Sequence, residues 1–327
     1  MSKSRRQQKR TKKKSSYRLK NWSEYNAALK KRASITLWFS DEALAHWRHQ
    51  GPLQRGAQFH YSDLAIQTGL TMKAIYHLGF RQTEGFLQSV TKLLGITIDI
   101  PDYSTLSRRQ KTLAVPLAPS PSREPVHVVV DSTGVKVFGE GEWKVRQHGV
   151  SKRRTWRKLH VAVNEATGEA LALELTTNSV DDAAEVKPLL AQIATPIKVF
   201  GGDGGYDKTK VYSTLAARSR QQQRTIQINI PPRKDAKIIQ HGNSAQAALA
   251  RDDNLRAIRE HGRRRWKEQC GYHRRSLVET FMSRFKTIIG PQFKSRTFEA
   301  QQIEVRIGCM ILNRMTAVGM PDSFKKV

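Results

Sequence analysis

The sequence predicts an α/β domain in the C-terminal two thirds of the chain, preceded by a smaller all-helical domain. Short runs rich in β-branched residues recur between residues 126 and 230, a pattern typical of strands. Over residues 25–122 the apolar residues recur at helical spacing instead. Three prolines within residues 118–125 interrupt regular structure between the two patterns. We therefore expect a helical domain over residues 23–122 and an α/β domain over residues 123–327.

Basic residues dominate the charge of the chain. Its 327 residues include 57 Lys and Arg against 28 Asp and Glu, which gives a formal charge of +29. The first twenty residues hold ten of these cations and no acid, so residues 1–22 are expected to form a disordered basic arm. DNA is the natural partner, because neutralising each backbone phosphate releases counterions. The arm could alternatively serve as a solubilising tail. The basic surface as a whole would also suit RNA or an anionic membrane.

The sequence contains no apolar run of membrane-spanning length and no signal peptide with an apolar core. No membrane partner is therefore expected, and the protein is predicted to be cytoplasmic and, in a bacterium, associated with the nucleoid. Cys270 and Cys309 lie far apart and match no metal-ligand spacing, so both are expected to be reduced thiols.

Within the helical domain, residues 61–78 are predicted to form a helix, a tight turn at Gly69 and a second helix, similar to a helix-turn-helix. A short helix is expected to follow, with Ser104 as its N-cap. Its polar side chains suit contacts in a DNA groove. They are Ser104, Ser107, Arg108, Gln110 and Lys111. The alternative is a helical bundle with a purely structural role.

Two strands of the α/β domain each lead towards an aspartate. Residues 126–130 are followed directly by Asp131, and residues 197–200 continue through two glycines to Asp203. The nearly continuous apolar character of the first run indicates burial on both faces, hence a central strand. Residues 131–134 are expected to open a turn at its end.

The segments between and after these strands are predicted in order. Residues 158–163 and 170–175 flank a glycine turn and are expected to form a hairpin. A helix over residues 181–193 leads to the strand before Asp203. A further strand is expected at residues 225–230, a polar insertion at residues 233–262, and a final helix at residues 298–315.

A basic, aromatic-bearing loop over residues 141–158 lies close in sequence to Asp131. Arg153 and Arg154 within it are predicted to contact the DNA backbone, because the loop is expected to lie near Asp131. Solvated charges on a hairpin are the alternative.

An amphipathic segment near the C-terminus carries the most specific pattern. At about 100° per residue on a helix, polar side chains share one face and apolar ones the opposite face. The polar face consists of Tyr272, Arg275, Glu279, Ser283 and Lys286. It combines a carboxylate able to hold a divalent cation with groups that bind phosphate oxygens. Such a face is otherwise the solvated side of a surface helix.

The spacing Tyr-x2-Arg-x3-Glu-x6-Lys in this segment resembles the Y-R-E-K signature of bacterial insertion-sequence DDE transposases of the IS4/IS5-like superfamily. The resemblance implies an RNase H-like catalytic core, with a mixed five-stranded sheet flanked by helices. The catalytic and metal-binding acids that it implies are Asp131, Asp203 and Glu279. The phosphate-positioning residues that it implies are Tyr272, Arg275 and Lys286.

Three carboxylates suit two hard cations that share ligands, one activating the attacking oxygen and one stabilising the leaving oxygen. The expected cofactor is therefore two Mg²⁺ or Mn²⁺ ions per active site. Asp181, Asp182 and Asp207 are rival acids. We interpret the first two as helix-capping residues and Asp207 as the start of a helix.

The resemblance implies a transposase that binds the terminal inverted repeats of its element as double-stranded DNA. It would cleave the strands by metal-dependent hydrolysis and join the freed 3′-hydroxyls to target DNA. Because two ends must be cut and paired, a homodimer or a larger synaptic assembly is expected. The alternatives are another RNase H-like nuclease and a DNA-binding regulator that keeps the catalytic domain as a scaffold.

Overall fold

A five-stranded mixed sheet organises the C-terminal two thirds of the protein. The computed structural model describes residues 17–52, 56, 58–122, 124–137, 156–240 and 249–325. Its strands are β1 (Tyr17–Leu19), β2 (Val126–Lys136), β3 (Trp156–Asn164), β4 (Ala170–Thr177), β5 (Ile197–Gly201), β6 (Gln227–Asn229) and β7 (Ser323–Lys325). The strand order in the large sheet is β4-β3-β2-β5-β6, with β2 at the centre.

Strands β2, β3 and β4 pair antiparallel, whereas β5 runs parallel to β2 and β6 runs parallel to β5. This confirms the predicted hairpin and the mixed character of the sheet. Strand β2 is longer than predicted, because residues 131–134 pair with residues 158–161 of β3. The turn expected at residues 131–134 is therefore wrong, and Asp131 lies inside a paired strand.

Helices cover both faces of the sheet and build the N-terminal part of the described chain. They are α1 (Trp22–Arg32), α2 (Ile35–Trp38), α3 (Asp41–Ala45), α4 (Asp63–Ile75), α5 (Phe80–Leu93), α6 (Tyr103–Gln110), α7 (Val186–Ala191), α8 (Thr209–Gln221), α9 (Ala250–His261), α10 (Arg263–Gln269), α11 (Ser276–Ile288) and α12 (Phe298–Val318). Single 3-10 turns lie at Asp182–Ala184, Gly204–Tyr206 and Tyr272–Arg275.

The helix predicted over residues 181–193 is shorter than expected. It consists of the 3-10 turn Asp182–Ala184 followed by α7. Pro188 explains the difference, because it has no N–H to bond to the carbonyl four residues earlier and would break a longer helix. It is tolerated in the first turn of α7, where that N–H needs no partner within the helix.

The sheet separates two hydrophobic cores. On one face, Val129 and Val135 of β2 pack with residues of α4, α11 and α12. On the other face, Val128 and Val130 pack with residues of α7 and α8. Both of these valines are fully buried, as the apolar run predicts. Residues of the N-terminal helices belong to the first core, so the part before residue 122 shares a core with the sheet. The domain division itself stays a prediction.

A single helix, α4, spans the region where the turn of a helix-turn-helix was expected. Gly69 lies inside this helix and is buried. A Cβ atom at Gly69 would lie 2.9 Å from Cδ2 of Leu106 in α6, so the glycine permits close packing of the two helices. The turn predicted at Gly69 is wrong. Close packing of two helices and a tight turn both favour glycine, so the residue type alone does not distinguish them.

The end of the predicted basic arm is ordered. Strand β1 pairs antiparallel with β7, and α1 begins at Trp22, which corrects the expected disorder of residues 17–22.

Helix α9 occupies the second half of the predicted insertion over residues 233–262. Residues 1–16, Arg153 and Arg154 lie outside the described residues. In the part of the chain that is described, no helix has the length and apolar character needed to cross a membrane.

Candidate active site at the edge of the central sheet

Asp131 and Asp203 lie close together on neighbouring parallel strands. Strands β2 and β5 run in the same direction, with Val129 opposite Gly201. Each aspartate comes two residues further along the chain. Because parallel strands present their carboxyl ends at the same edge, both carboxyl groups are carried to that edge, where ligand sites of open sheets commonly form.

Asp131 is a largely buried carboxylate, with 19% of its side chain exposed. Its Oδ1 atom accepts a hydrogen bond of 2.9 Å from the backbone N–H of Ser132, and its Oδ2 atom accepts one of 3.0 Å from Arg275. Burial raises the pKa of Asp131. The negative charges of Asp203 and Glu279 raise this pKa further, while Ser132 and Arg275 lower it. Asp203 and Glu279 are therefore both within electrostatic reach of Asp131.

Asp203 begins the 3-10 turn Gly204–Tyr206. Its Oδ1 atom accepts a hydrogen bond of 2.7 Å from the backbone N–H of Gly205. Among the described residues, the structure gives no hydrogen bond to its Oδ2 atom. Asp203 is thus both a capping residue and a partly exposed carboxylate beside Asp131.

Glu279 lies in the first turn of α11, with 53% of its side chain exposed. Arg275, one helical turn earlier, donates one hydrogen bond to Glu279 through Nη2 and another to Asp131 through Nη1. The guanidinium group therefore bridges α11 and β2, joining residues 144 positions apart. It brings the third predicted acid to the same edge of the sheet as the two aspartates.

The predicted signature helix is not continuous. Gly271 adopts a φ of 70°, Tyr272–Arg275 form a 3-10 turn, and α11 begins only at Ser276. The tyrosine ring is half-buried and lies 6.0 Å from the guanidinium carbon of Arg275 and 6.1 Å from the ring of Trp266. Tyr272 therefore supports Arg275 from a preceding turn, and the prediction that it shares one α-helical face with Lys286 is wrong.

Lys286 lies in the last turn of α11 and is half-buried. It follows Glu279 by seven residues, which is two helical turns, so both side chains lie on the same side of the helix about 10 Å apart along its axis. This part of the predicted polar face is retained.

As they stand, no three acidic, histidine or cysteine side chains among the described residues converge closely enough to hold a metal ion. The Arg275 guanidinium lies between two of the predicted ligands and bonds to both. The donor set itself is entirely carboxylate oxygen, which suits Mg²⁺ or Mn²⁺. Binding a cation by these acids therefore requires Arg275 to turn away from them.

Two rival acids are engaged by lysines. Asp181 lies 2.6 Å from Nζ of Lys208 and 2.7 Å from Nζ of Lys210, and hydrogen bonds from these two lysines lower its pKa to about 2. Asp182 lies 3.1 Å from Nζ of Lys158. The Asp181 side chain makes no capping hydrogen bond to its 3-10 turn, which corrects the capping role expected for it. Both carboxylates are therefore paired with lysine side chains of the protein.

The third rival acid, Asp207, has a structural role. Its side chain is fully buried and accepts hydrogen bonds from Arg251 at 2.9 Å and from the Tyr212 hydroxyl at 3.1 Å. Its second oxygen accepts from the backbone N–H of Arg233 at 3.0 Å. Helix α8 begins two residues later, so Asp207 joins α8 to α9 and does not start a helix.

The short helix predicted near Ser104 is present as α6, but its cap differs. Asp102 is the N-cap, and its Oδ1 atom accepts hydrogen bonds from the backbone N–H groups of Ser104 at 2.7 Å and Thr105 at 2.8 Å. Gln110 is 3% exposed and donates to Ser295 at 3.0 Å. A groove contact by Gln110 is therefore wrong, because its amide is used inside the protein.

The other predicted DNA-contacting residues of α6 face outward or line a cleft. That open cleft, between the beginnings of α5 and α6, is lined by Gly79, Phe80, Arg81, Gln82, Tyr103, Ser104, Ser107 and Arg108. The Arg81 guanidinium carbon lies 4.2 Å from the centre of the Tyr103 ring. Lys111 is exposed just after α6. The cleft thus combines Arg81, which stacks on the Tyr103 ring, with two serines and Arg108.

Two side chains near these sites were not identified from the sequence. Arg81 lies in a different helix from Arg108, and no local spacing connects them. Tyr206 is fully buried, and its sequence signal is its place in the Asp-Gly-Gly-Tyr turn that Asp203 begins.

The sheet thus has a mixed five-stranded order, helices on both faces and acids at the edge where its parallel strands end. The chain belongs to the transposase DDE domain family, since a family model with that description matches residues 122–314, more than half of its length. A second model with the same description matches residues 30–140. The protein is therefore a DNA transposase, an enzyme that cleaves and transfers DNA strands.

The structure is also similar to that of piggyBac transposase, determined by cryo-EM as a synaptic complex with hairpin DNA. The TM-score is 0.39 at 13% sequence identity, and the match covers 86% of this chain and 74% of that one. The IS4/IS5-like assignment and the Y-R-E-K signature stay predictions.

Proposed function

We propose that Asp131, Asp203 and Glu279 hold two Mg²⁺ or Mn²⁺ ions and form the site at which the transposase cuts and joins DNA. The observations that support this proposal are the position of Asp131 and Asp203 at one edge of the sheet and the Arg275 guanidinium group, which bonds to both Asp131 and Glu279. When bound, two such cations activate the attacking oxygen and stabilise the leaving oxygen of an in-line displacement.

Arg275 and Lys286 position phosphate oxygens near the scissile bond. Arg275 already bonds to two of the acids, and a guanidinium group binds phosphate in the same forked geometry as carboxylate. Its transfer from the acids to DNA would couple metal binding to substrate binding. The Tyr272 ring beside it limits the directions in which the guanidinium group can turn.

Replacing Arg275 with Gln is expected to raise the affinity for Mn²⁺ and yet lower strand cleavage. Affinity rises because the competing cation is removed from the acids, and cleavage falls about 10²-fold because a preorganised phosphate contact is lost. Calorimetric titration of the DNA-free protein with Mn²⁺, and cleavage at saturating Mn²⁺, measure the two effects. Arg274→Gln is the matched control, since that arginine pairs with Glu165 instead. Weaker Mn²⁺ binding by Arg275→Gln would show that Arg275 does not compete with metal.

The α5–α6 cleft and Lys111 are the proposed DNA-contacting surface, and Arg153 and Arg154, which lie outside the described residues, stay predicted contacts of the DNA backbone. Arg108 and Lys111 are exposed cations, and the Ser107 hydroxyl lines the cleft with Arg108. The Ser104 hydroxyl donates to Oδ1 of Asp102 at 2.6 Å, so a contact of Ser104 with DNA would use its oxygen as an acceptor or replace this bond. Phosphate contacts of this kind set the position of a protein on the duplex without reading its sequence. The basic residues 1–16 add a nonspecific tether for DNA.

Replacing Arg81 and Arg108 together with Ala is expected to weaken DNA binding and flatten its dependence on salt. Each lost phosphate contact lowers the slope of log affinity against log salt by about 1. Fluorescence anisotropy with a labelled duplex from 50 to 300 mM salt, roughly the range in which such slopes are measured, tests this. Lys92→Ala is the control, because Lys92 is an exposed cation in the last turn of α5. An unchanged slope in the double variant would remove this cleft from the DNA-contacting surface.

The substrate of the site is proposed to be the terminal inverted repeat of the element, whose freed 3′-hydroxyls are joined to target DNA. Two ends must be paired, so the active form is a homodimer or a larger synaptic assembly, acting at the nucleoid in the bacterial cytoplasm. Cutting of a labelled terminal-repeat duplex with Mg²⁺ or Mn²⁺ tests the function. Cleavage at the repeat boundary supports it, and binding without cleavage on supercoiled, paired ends contradicts it.

A further inference from the structure

Tyr206 is a buried tyrosine whose hydroxyl has no hydrogen-bond partner among the described residues. Its side chain is 1% exposed and belongs to the core on the α7 and α8 face of the sheet. Native proteins rarely leave a buried hydroxyl unpaired, because its lost hydration is not replaced. An unpaired hydroxyl at this depth therefore calls for a partner that the metal-free fold does not supply.

The tyrosine belongs to the same turn as one of the proposed metal ligands. It ends the 3-10 turn that Asp203 begins, and a Cβ atom at Gly202 would lie 3.0 Å from Cδ2 of its ring. A side chain at residue 202 would therefore push against the ring. Burial raises the pKa of Tyr206, and the negative charges of Asp131, Asp182 and Asp203 raise it further.

A second buried tyrosine on the same face provides the contrast. Tyr212 in α8 is 7% exposed, and its hydroxyl lies 3.1 Å from Oδ1 of Asp207. The fold therefore gives one buried tyrosine hydroxyl a carboxylate acceptor and leaves the other, beside two predicted metal ligands, without one.

We propose that Tyr206 is a positioning residue of the metal site, whose hydroxyl donates a hydrogen bond to the Asp131–Asp203 carboxylate pair when the cations are bound. The inference rests on the proposed metal-binding function of these acids. In the metal-free arrangement, the Asp131 oxygens accept from Arg275 and Ser132, and Oδ1 of Asp203 accepts from Gly205. Cations held by these acids would displace the Arg275 contact and would leave an Asp131 oxygen able to accept from Tyr206. Hydrogen-bonded ligand carboxylates are held in the orientation that the cation needs.

The test compares the full-length wild type with Tyr206→Phe and Tyr212→Phe by thermal unfolding at increasing Mn²⁺, with no DNA present. Tyr206→Phe is expected to unfold at the same or a higher temperature without metal, because it removes an unpaired hydroxyl. It should need about tenfold more Mn²⁺ to reach half of the metal-induced stabilisation. Tyr212→Phe is expected to unfold at a lower temperature without metal and to keep the wild-type Mn²⁺ midpoint.

A Tyr206→Phe variant with the wild-type Mn²⁺ midpoint would overturn the inference while leaving the proposed metal site intact. A variant destabilised in the absence of metal would overturn it too, because the hydroxyl would then have a partner in the metal-free fold. A wild-type protein whose unfolding temperature does not respond to Mn²⁺ would instead contradict the proposed metal site itself. Strand cleavage that falls in Tyr206→Phe at low Mn²⁺ and recovers at high Mn²⁺ would support the inference.

Discussion

Replacing Glu279 with Gln is expected to abolish metal-dependent strand cleavage while DNA binding persists. Gln keeps the size of the side chain but removes the negative charge that a hard cation requires. Metal stabilisation of charge in the transition state contributes several kcal/mol, so losing about 4 kcal/mol lowers the rate about 10³-fold. The side chain is 53% exposed, so the fold is expected to tolerate the change. Strand cleavage is measured on a labelled terminal-repeat duplex, and DNA binding is measured separately by the fluorescence anisotropy of the same duplex.

Glu299→Gln is the matched control for this variant. Glu299 is an exposed glutamate in the first turn of α12, as Glu279 is in the first turn of α11. Asp131→Asn and Asp203→Asn are expected to lose as much cleavage as Glu279→Gln, and a double variant no more than either, since ligands of one metal site act as a unit. A Glu279→Gln protein that cuts within tenfold of the wild type would remove Glu279 from the proposed ligands.

Replacing Asn313 with Ala is expected to destabilise the protein by about 3 kcal/mol or more. Asn313 is 1% exposed in α12. Its Oδ1 atom accepts from the N–H of Ala170 at 2.8 Å, and its Nδ2 atom donates to the carbonyls of Ala170 at 2.8 Å and Leu117 at 3.1 Å. Truncation leaves these three backbone groups unpaired in the interior, each at a cost of about 1–3 kcal/mol. Urea unfolding monitored by circular dichroism measures the change in midpoint.

Gln302→Ala in the same helix is the control for Asn313→Ala. Gln302 is only half-buried, and the described residues give its amide no hydrogen bond. Its replacement is expected to change the free energy of unfolding by less than about 0.5 kcal/mol. If Asn313→Ala shifts the urea midpoint no more than this control, the amide does not hold α12 to β4 and to the segment before the sheet.

The sheet and its two aspartates were predictable because their signals are local. The apolar run before Asp131 indicates a strand buried on both faces, and this strand is central in the sheet. The hairpin of β3 and β4 follows from two strand patterns around a glycine turn. Because parallel strands end at one edge, placing Asp131 and Asp203 after two such strands is enough to bring them together.

The remaining features depend on contacts between distant residues. Gly69 suggested a turn, but glycine is needed at this position because the Leu106 side chain of another helix packs against it. The Arg275 bridge to Asp131 joins positions 144 residues apart, and the Asn313 bonds to Ala170 join positions 143 apart. The cap of α6 was misassigned to Ser104 because Asp102 and Ser104 are both good capping residues two positions apart. No local spacing reveals which of these partners meet.

The most direct test of a single metal site built by three separate segments is iron-directed cleavage of the polypeptide. Fe²⁺ replaces Mg²⁺ at carboxylate sites and, with ascorbate and peroxide, generates radicals that cut the nearby backbone. Cuts near Asp131, Asp203 and Glu279 together, suppressed by excess Mg²⁺ and weakened in Glu279→Gln, are the predicted result. Cuts confined to one of these segments, or centred on Asp181 and Asp182, would contradict the site.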